Sequence, residues 1–331
     1  MVRLGLAVAA AAAIILSAPV VQQAFTALNR VFPSTGLAAT AAPIAVAVLV
    51  AAARIRHQRR LRFAALALSL ATGGAYVVFD ALTPTESFHF VEYGLLALLF
   101  YIAVCPAADG SLLILPLLAG IATGVIDEWF QWFVPIRAGE LRDIVLDAVA
   151  SVCGVMFAIS VRPPPRLTLE LAGRSRDRVR AAIAVTLALI AAFAFTVHVA
   201  REVVDPDIGT FVSRYSAAQL AAFAGDRAGQ WRTSPPVTVR RFSREDQYLS
   251  EGLWHVQRRN EAWEQGAIGA AWRENLILEK FFAPVLDAQT YASDAPQRWP
   301  AEQRAEAASR PGVDRRPIAS DEYRWPVYVL R

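Results

Sequence analysis

Before residue 201 the chain runs as a series of apolar stretches, each about long enough to cross a bilayer, and this restricts the fold more than any other feature. In hydrocarbon every backbone N–H and C=O must be paired within the chain, so a spanning segment of about 20 apolar residues has to be a helix unless strands close into a barrel. Seven such segments can be placed, at residues 4–21, 37–53, 63–79, 88–104, 111–133, 144–161 and 179–199. Hydrophobic residues make up 55% of the chain and mean hydropathy is +0.36, values that exclude an ordinary soluble globule. The expected fold class is an all-α polytopic membrane helix bundle, followed by a mainly helical C-terminal domain. Met1-Val-Arg3 has the basic start of a signal peptide, but the apolar run behind it is longer than a signal core, so a retained helix is expected.

Loop charge orients the bundle, because short cytoplasmic loops collect Lys and Arg. Arg54, Arg56, Arg59, Arg60 and Arg62 crowd the second connection, and Arg162, Arg166, Arg174, Arg176, Arg178 and Arg180 crowd the sixth. Four spans lie between these connections, so both fall on one side, as the rule requires. The expectation is an inner (cytoplasmic) membrane protein with a cytoplasmic N-terminus. Loops 80–87 and 134–142 and the region after residue 201 then lie outside the cytoplasm. The net charge of +4 and pI near 9.3 follow from this loop bias and call for no nucleic-acid partner. Cys105 and Cys153 are too few for a disulfide framework. No C-x-x-C, H-E-x-x-H, phosphate-binding glycine loop or internal repeat is present, which argues against an ATP-driven pump, a zinc protease and a repeat-built transporter.

Ionisable residues interrupt this pattern between Gly124 and Asp147. A charged side chain at the centre of a spanning helix costs roughly 2.5–3.5 kcal/mol, so it is kept where it meets a partner, a cavity or water. Glu128 and Gln131 are three apart and share a helix face, with Gly124 one turn below. Asp143 opens the next helix, suiting its positive end, and Asp147 lies one turn deeper. His89, Glu92 and Tyr93 form a stripe on a third helix, with Glu86 nearer water. Arg137 and Arg142 sit in the loop above, while Trp129 and Trp132 suit anchors at headgroup depth.

The motifs His89-Phe-Val-Glu-Tyr93, Glu128-Trp-Phe-Gln131-Trp-Phe-Val-Pro135-Ile-Arg137 and Asp143-Ile-Val-Leu-Asp147, with Gly154 beyond, together resemble the VanZ-like family of membrane proteins. The resemblance covers about residues 85–154. It implies a membrane-embedded polar core and a cell-envelope role, and it assigns no reaction. Glu86 stands where the family often has lysine, and Ala150 where it often has glycine. The first departure reverses a charge, so no anion-binding role carries over to it. Four parts are expected: N-terminal spans in 1–84, a VanZ-like core in 85–161, a basic loop and last span in 162–200, and a soluble, mostly α domain in 201–331.

Three functional readings compete. In the first, Glu128 and His89 exchange a proton, Asp143 and Asp147 complete the catalytic group by orienting His89 or Arg137, and Arg137, Arg142, Gln131 and Tyr93 bind an anionic, lipid-linked envelope molecule. In the second, the same residues form a satisfied cluster that only locks helices, making the protein a scaffold. The third is proton-coupled transport, which the position of the carboxylates near one membrane face disfavours. The acid and imidazole spacing matches no strong metal signature, so neither a metal nor a cofactor is expected. Membrane lipids are the expected partners, and oligomeric state is not legible.

Beyond residue 201, spacing predicts amphipathic helix from 248 to 287, divided at Gly266 and ended or bent at Pro284. Residues 236–239 and 325–330 read as short strands. His255, Arg258, Arg259, Trp263, Trp272, Arg273 and Glu274 invite comparison with a ligand site, against the simpler reading that Trp fills the core and Arg faces solvent.

Overall fold

The computed structural model describes residues 2–31, 35–80, 82–83, 86–104, 109–134, 139–164, 168–237, 244–309 and 328–330. It is 77% helical. Seven helices come first: α1 (Val2–Val31), α2 (Thr35–Arg54), α3 (Arg59–Phe79), α4 (His89–Val104), α5 (Ser111–Trp132), α6 (Leu141–Val161) and α7 (Gly173–Val197). A 3-10 turn, Glu86–Phe88, leads into α4. Among the described residues five segments are long and apolar enough to cross a membrane: α3, the turn with α4, α5, α6 and α7. The described apolar stretches of the first two helices, Val2–Ala18 and Ala38–Arg54, are shorter. Hydropathy had started α3, α6 and α7 later, at residues 63, 144 and 179. The difference has a simple cause: arginines end an apolar window, but backbone hydrogen bonding continues past them.

The chain divides into two compact units, Met1–Gln131 with Gly139–Phe193, and Trp132–Ala138 with Ala194–Arg331. In the first unit α6 is central, packing on α4 and α3, while α1 packs on α4. Small residues permit this. A Cβ at Gly154 would lie 2.5 Å from the Gly94 carbonyl oxygen and 2.8 Å from its Cα, so α4 and α6 meet backbone to backbone. Ser69 Oγ donates to the Cys153 carbonyl at 2.9 Å, joining α3 to α6. Apolar side chains such as Val78, Phe79, Leu95 and Leu187 point outward, as lipid contact demands.

At the far end of α6 the unpaired carbonyls of the last turn are filled by side chains. Arg62 Nε donates to the Ser160 carbonyl at 2.6 Å and Nη2 to Val161 at 3.2 Å, and the Tyr101 hydroxyl donates to Arg162 at 2.9 Å. Buried Arg62 thus places a cation at the negative end of the helix. Asp109 does the converse for α5 and α7. Its carboxylate accepts from the Ser111 amide and hydroxyl, from the Ala172 amide at 3.1 Å, and from the Ser175 side chain.

These donors lower the Asp109 carboxyl from 3.8 to about 2. A depressed carboxyl contributes stability above its unfolded value and loses it as pH falls through the folded value. The melting-temperature gap between wild type and Asp109→Asn should therefore be full above about pH 5 and close toward about pH 2. A gap independent of pH in detergent melts would refute this role.

The second unit begins with an antiparallel hairpin, β1 (Val199–Asp205) and β2 (Gly209–Ser213). Hydropathy extends the last span to residue 199, but the chain has already turned extended there. The Asp205 carboxylate accepts from the Asp207 and Ile208 amides, and Gly209 takes φ 87, closing the turn. Lys280 pairs with Asp205, and together with the turn amides it lowers that carboxyl.

A short strand β3 (Tyr328–Leu330) pairs parallel with β1, giving the order β2-β1-β3. Helices α8 (Ala217–Thr233), α9 (Arg244–Glu264), α10 (Ile268–Phe281), α11 (Ala283–Asp287) and α12 (Ala301–Ser309) complete the unit. The break at Gly266, with φ 74, and the ends near Pro284 match the expected pattern. Of the expected strand at 236–239, residues 238 and 239 lie outside the described residues, and Val237 is not in a strand. Phe211, Tyr215, Trp231, Tyr248, Leu278 and Phe282 build the core. Buried Arg273 donates from its guanidinium to the Ile208 carbonyl of the turn and the Thr210 carbonyl of β2, blunting that edge.

Candidate functional site

The start of α4, the end of α5 and the start of α6 meet at the end of the bundle opposite Arg62. Thr83 and Glu86 set the first of these. The Thr83 amide donates to Glu86 Oε2 at 2.7 Å and the Glu86 amide to Thr83 Oγ1 at 3.2 Å, a reciprocal pair that launches the turn before α4. His89 therefore begins α4 facing α6, where its Nδ1 lies 2.7 Å from Asp147 Oδ1. The Asp147 side chain is fully buried, whereas His89 keeps 17% exposure. Its ring lies 5.9 Å from that of Tyr93, the planes 5° apart.

Below this pair runs a hydrogen-bonded chain between α4 and α5. The Tyr93 hydroxyl donates to Asp127 Oδ2 at 3.1 Å, and Gln131 Nε2 donates to Asp127 Oδ2 at 3.2 Å and Glu128 Oε1 at 2.9 Å. Glu128 Oε2 accepts the Glu140 amide at 2.9 Å. That amide is at the N-cap of α6, so Glu128 gives an acceptor to one of the unpaired donors at the start of the neighbouring helix.

Glycine controls how close α5 comes. Gly120 and Gly124 are one turn apart, and opposite them on α6 stand Ser151 and Asp147, also one turn apart. A Cβ at Gly124 would lie 2.5 Å from Asp147 Oδ2, and one at Gly120 would lie 2.1 Å from Ser151 Oγ. Both oxygens are buried and have no conventional hydrogen-bond partner. They abut glycine Cα–H groups, which offer weak polar contact where a side chain would collide.

His89, Tyr93, Glu128, Gln131 and Asp147 thus come together as expected from the sequence. Asp143 lies half-buried in the first turn of α6, above Asp147. Glu92 is also half-buried. Arg142 is engaged elsewhere: Nε donates to Asp80 Oδ2 at 3.1 Å and Nη1 to Glu86 Oε1 at 2.6 Å. Two carboxylates therefore already neutralise this guanidinium, which ties the ends of three helices together. Arg137 lies outside the described residues.

The residue that sequence reasoning passed over is Asp127, 2% exposed and bonded to both Tyr93 and Gln131. Its signal was present, since four residues separate it from Gln131 on the same face. Among the described residues no three His, Cys, Asp or Glu side chains are grouped to hold a metal ion.

Chemically the arrangement resolves into an inner and an outer part. The inner carboxylates are bonded to neighbours and hold helices in register. The outer imidazole is held through Nδ1 by a carboxylate, which leaves Nε2 as the nitrogen able to exchange a proton. Nε2 makes no hydrogen bond to a described residue. No protein-family model, curated protein or solved structure matches the chain.

Proposed function

We propose that this chain is a VanZ-like integral membrane protein that binds or processes an anionic, lipid-linked molecule of the cell envelope at the outer face of the inner membrane. The observation that carries the reading is the His89–Asp147 pair, a partly exposed imidazole backed by a fully buried carboxylate. Such a pair is preorganised to take or give a proton at Nε2, and positioned acid–base groups contribute about 10²–10⁴ in rate. The cation for an anionic headgroup is Arg137, placed by sequence in the loop beside the site. Arg142 is a weaker choice because Asp80 and Glu86 hold it.

In this reading the first two helices also cross the membrane, giving seven spans. The 30-residue length of α1 and 20-residue length of α2 support that count. Loop-charge parity then puts the C-terminal domain outside the cytoplasm. The rival reading, a polar cluster that only locks helices, is favoured by the internal bonds of Asp127, Glu128, Gln131 and Tyr93.

Mass spectrometry of copurifying lipid separates the two. Wild type should carry an anionic lipid-linked species, Arg137→Ala should lose it, and His89→Gln should retain or enrich it while the envelope phenotype disappears. An identical lipid profile in wild type and Arg137→Ala, with folded protein in both, would leave the helix-locking role standing.

A further inference from the structure

At the end of the bundle away from His89, five helix ends gather within the first unit. Arg62 joins the start of α3 to the end of α6, and Tyr101 joins α4 to the same end. Asp109 and the Gly110 amide, which donates to the Glu170 carbonyl, join the start of α5 to the start of α7. Nine exposed arginines crowd this end: Arg54, Arg56, Arg59 and Arg60 around the α2–α3 turn, Arg162 after α6, and Arg174, Arg176, Arg178 and Arg180 on the first turns of α7. Acidic neighbours among the described residues are few. Asp177 is paired to Arg180 at 4.0 Å, Asp109 is taken up by its donors, and Glu170 is exposed.

We infer that this end is a seat for anionic phospholipid headgroups, held chiefly by Arg174, Arg176, Arg178 and Arg180 of α7. Three features favour a lipid over a soluble polyanion. The arginines stand where apolar helices emerge, at headgroup depth, and their aliphatic stems reach the interface. Apolar side chains are exposed beside them, with Leu169 79% accessible and Leu61 and Phe63 near 40%. A phosphate-binding protein gains nothing from those, whereas acyl chains cover them. Lys280 in the second unit is the only lysine in the chain, so every fixed cation at this end is a guanidinium, whose planar fork grips phosphate oxygens in pairs. The α7 set also adds to the positive end of its helix, and the Asp109 clamp fixes where that end lies. This inference is independent of the chemistry at His89.

The test reconstitutes the full chain in phosphatidylcholine vesicles and in vesicles with about one third phosphatidylglycerol. Phosphatidylglycerol should raise the melting temperature of wild type, and the gain should shrink as salt rises. A variant with all four α7 arginines changed to glutamine should melt like wild type in phosphatidylcholine yet lose most of the gain. It should also retain about fivefold less phosphatidylglycerol on purification. Equal stabilisation by inorganic phosphate in phosphatidylcholine vesicles would overturn the lipid assignment, as would an undiminished gain in the variant. Should the α7 variant fail to fold, the set Arg54, Arg56, Arg59 and Arg60→Gln carries the same measurement, with partial loss expected and no loss refuting the seat.

Discussion

Gly154→Ala should leave little folded protein in detergent extracts, whereas Gly74→Ala should melt at or above the wild-type temperature. Both glycines sit inside helices of the bundle, so helix propensity alone predicts a gain of about 1 kcal/mol at each. Packing reverses the sign at one of them. The added methyl at Gly154 meets the Gly94 carbonyl oxygen at 2.5 Å, the Gly94 Cα at 2.8 Å and the Ala97 Cβ at 2.9 Å. None of these is the far end of a flexible side chain, so relief requires α4 and α6 to separate along their whole contact. Overpacking of this kind costs about 1–3 kcal/mol or more, and here it falls on the central helix pair. At Gly74 nothing lies within 4 Å. Size-exclusion recovery and melting of the two variants side by side decide the matter, and equal behaviour would mean that α4 and α6 do not approach as described. Loss at Gly154 should also separate His89 from Asp147, since these residues sit on the same two helices.

Glu274→Ala should open the C-terminal domain, while Arg258→Ala should barely disturb it. Glu274 and His255 are 1–2% exposed, and Glu274 Oε2 lies 2.6 Å from His255 Nδ1 amid Phe211 and Phe282. Removing the carboxylate strands an imidazole N–H in an apolar core. Breaking one side of a buried pair costs about 3–5 kcal/mol, comparable with the stability of a small domain. Glu251, one turn from His255 on α9, adds to the cost of disturbance. It is itself buried, and burial pushes its carboxyl upward, so it does not replace the lost carboxylate without a further penalty. Arg258 Nε is 3.2 Å from Glu274 Oε1, close enough for charge pairing, but its side chain is 38% exposed. Exposed pairs contribute about 0–1 kcal/mol. Hydrogen exchange on α9 and α10 in the full chain measures the contrast directly. Protection that survives Glu274→Ala would show that the pair does not hold this core.

Helix existence was largely legible because apolar length is a one-dimensional property. Expected spans at 88–104 and 111–133 differ from α4 and α5 by a single residue at one end. The division at Gly266 and the strand near the C-terminus were legible for a similar reason: glycine, proline and β-branched residues act locally. The hairpin at Val199 was not. Its strand follows an apolar helix without a break in hydropathy, and pairing with Gly209–Ser213 is what makes it extended. Helix α8 was also missed, although Ser216 and Gln219 form a complete capping box, because the helix is nearly neutral in hydropathy.

Spacing put His89 with Tyr93, Glu128 with Gln131, and Asp143 with Asp147 on common faces, since helix geometry fixes neighbours at three and four residues. It was silent on which partner each face would meet. Packing joined His89 to Asp147, Tyr93 to Asp127 and Glu128 to the amide of Glu140. It also turned Arg142 toward Asp80 and Glu86, away from the anion-gripping role its sequence position suggested. By itself, then, the sequence determined the helices, their polar stripes and the basic end, all consequences of period and composition. Only the tertiary structure decided which carboxylate stands behind His89. That choice depends on how closely α4 and α6 approach at Gly94 and Gly154, a distance set by atoms that lie far apart along the chain.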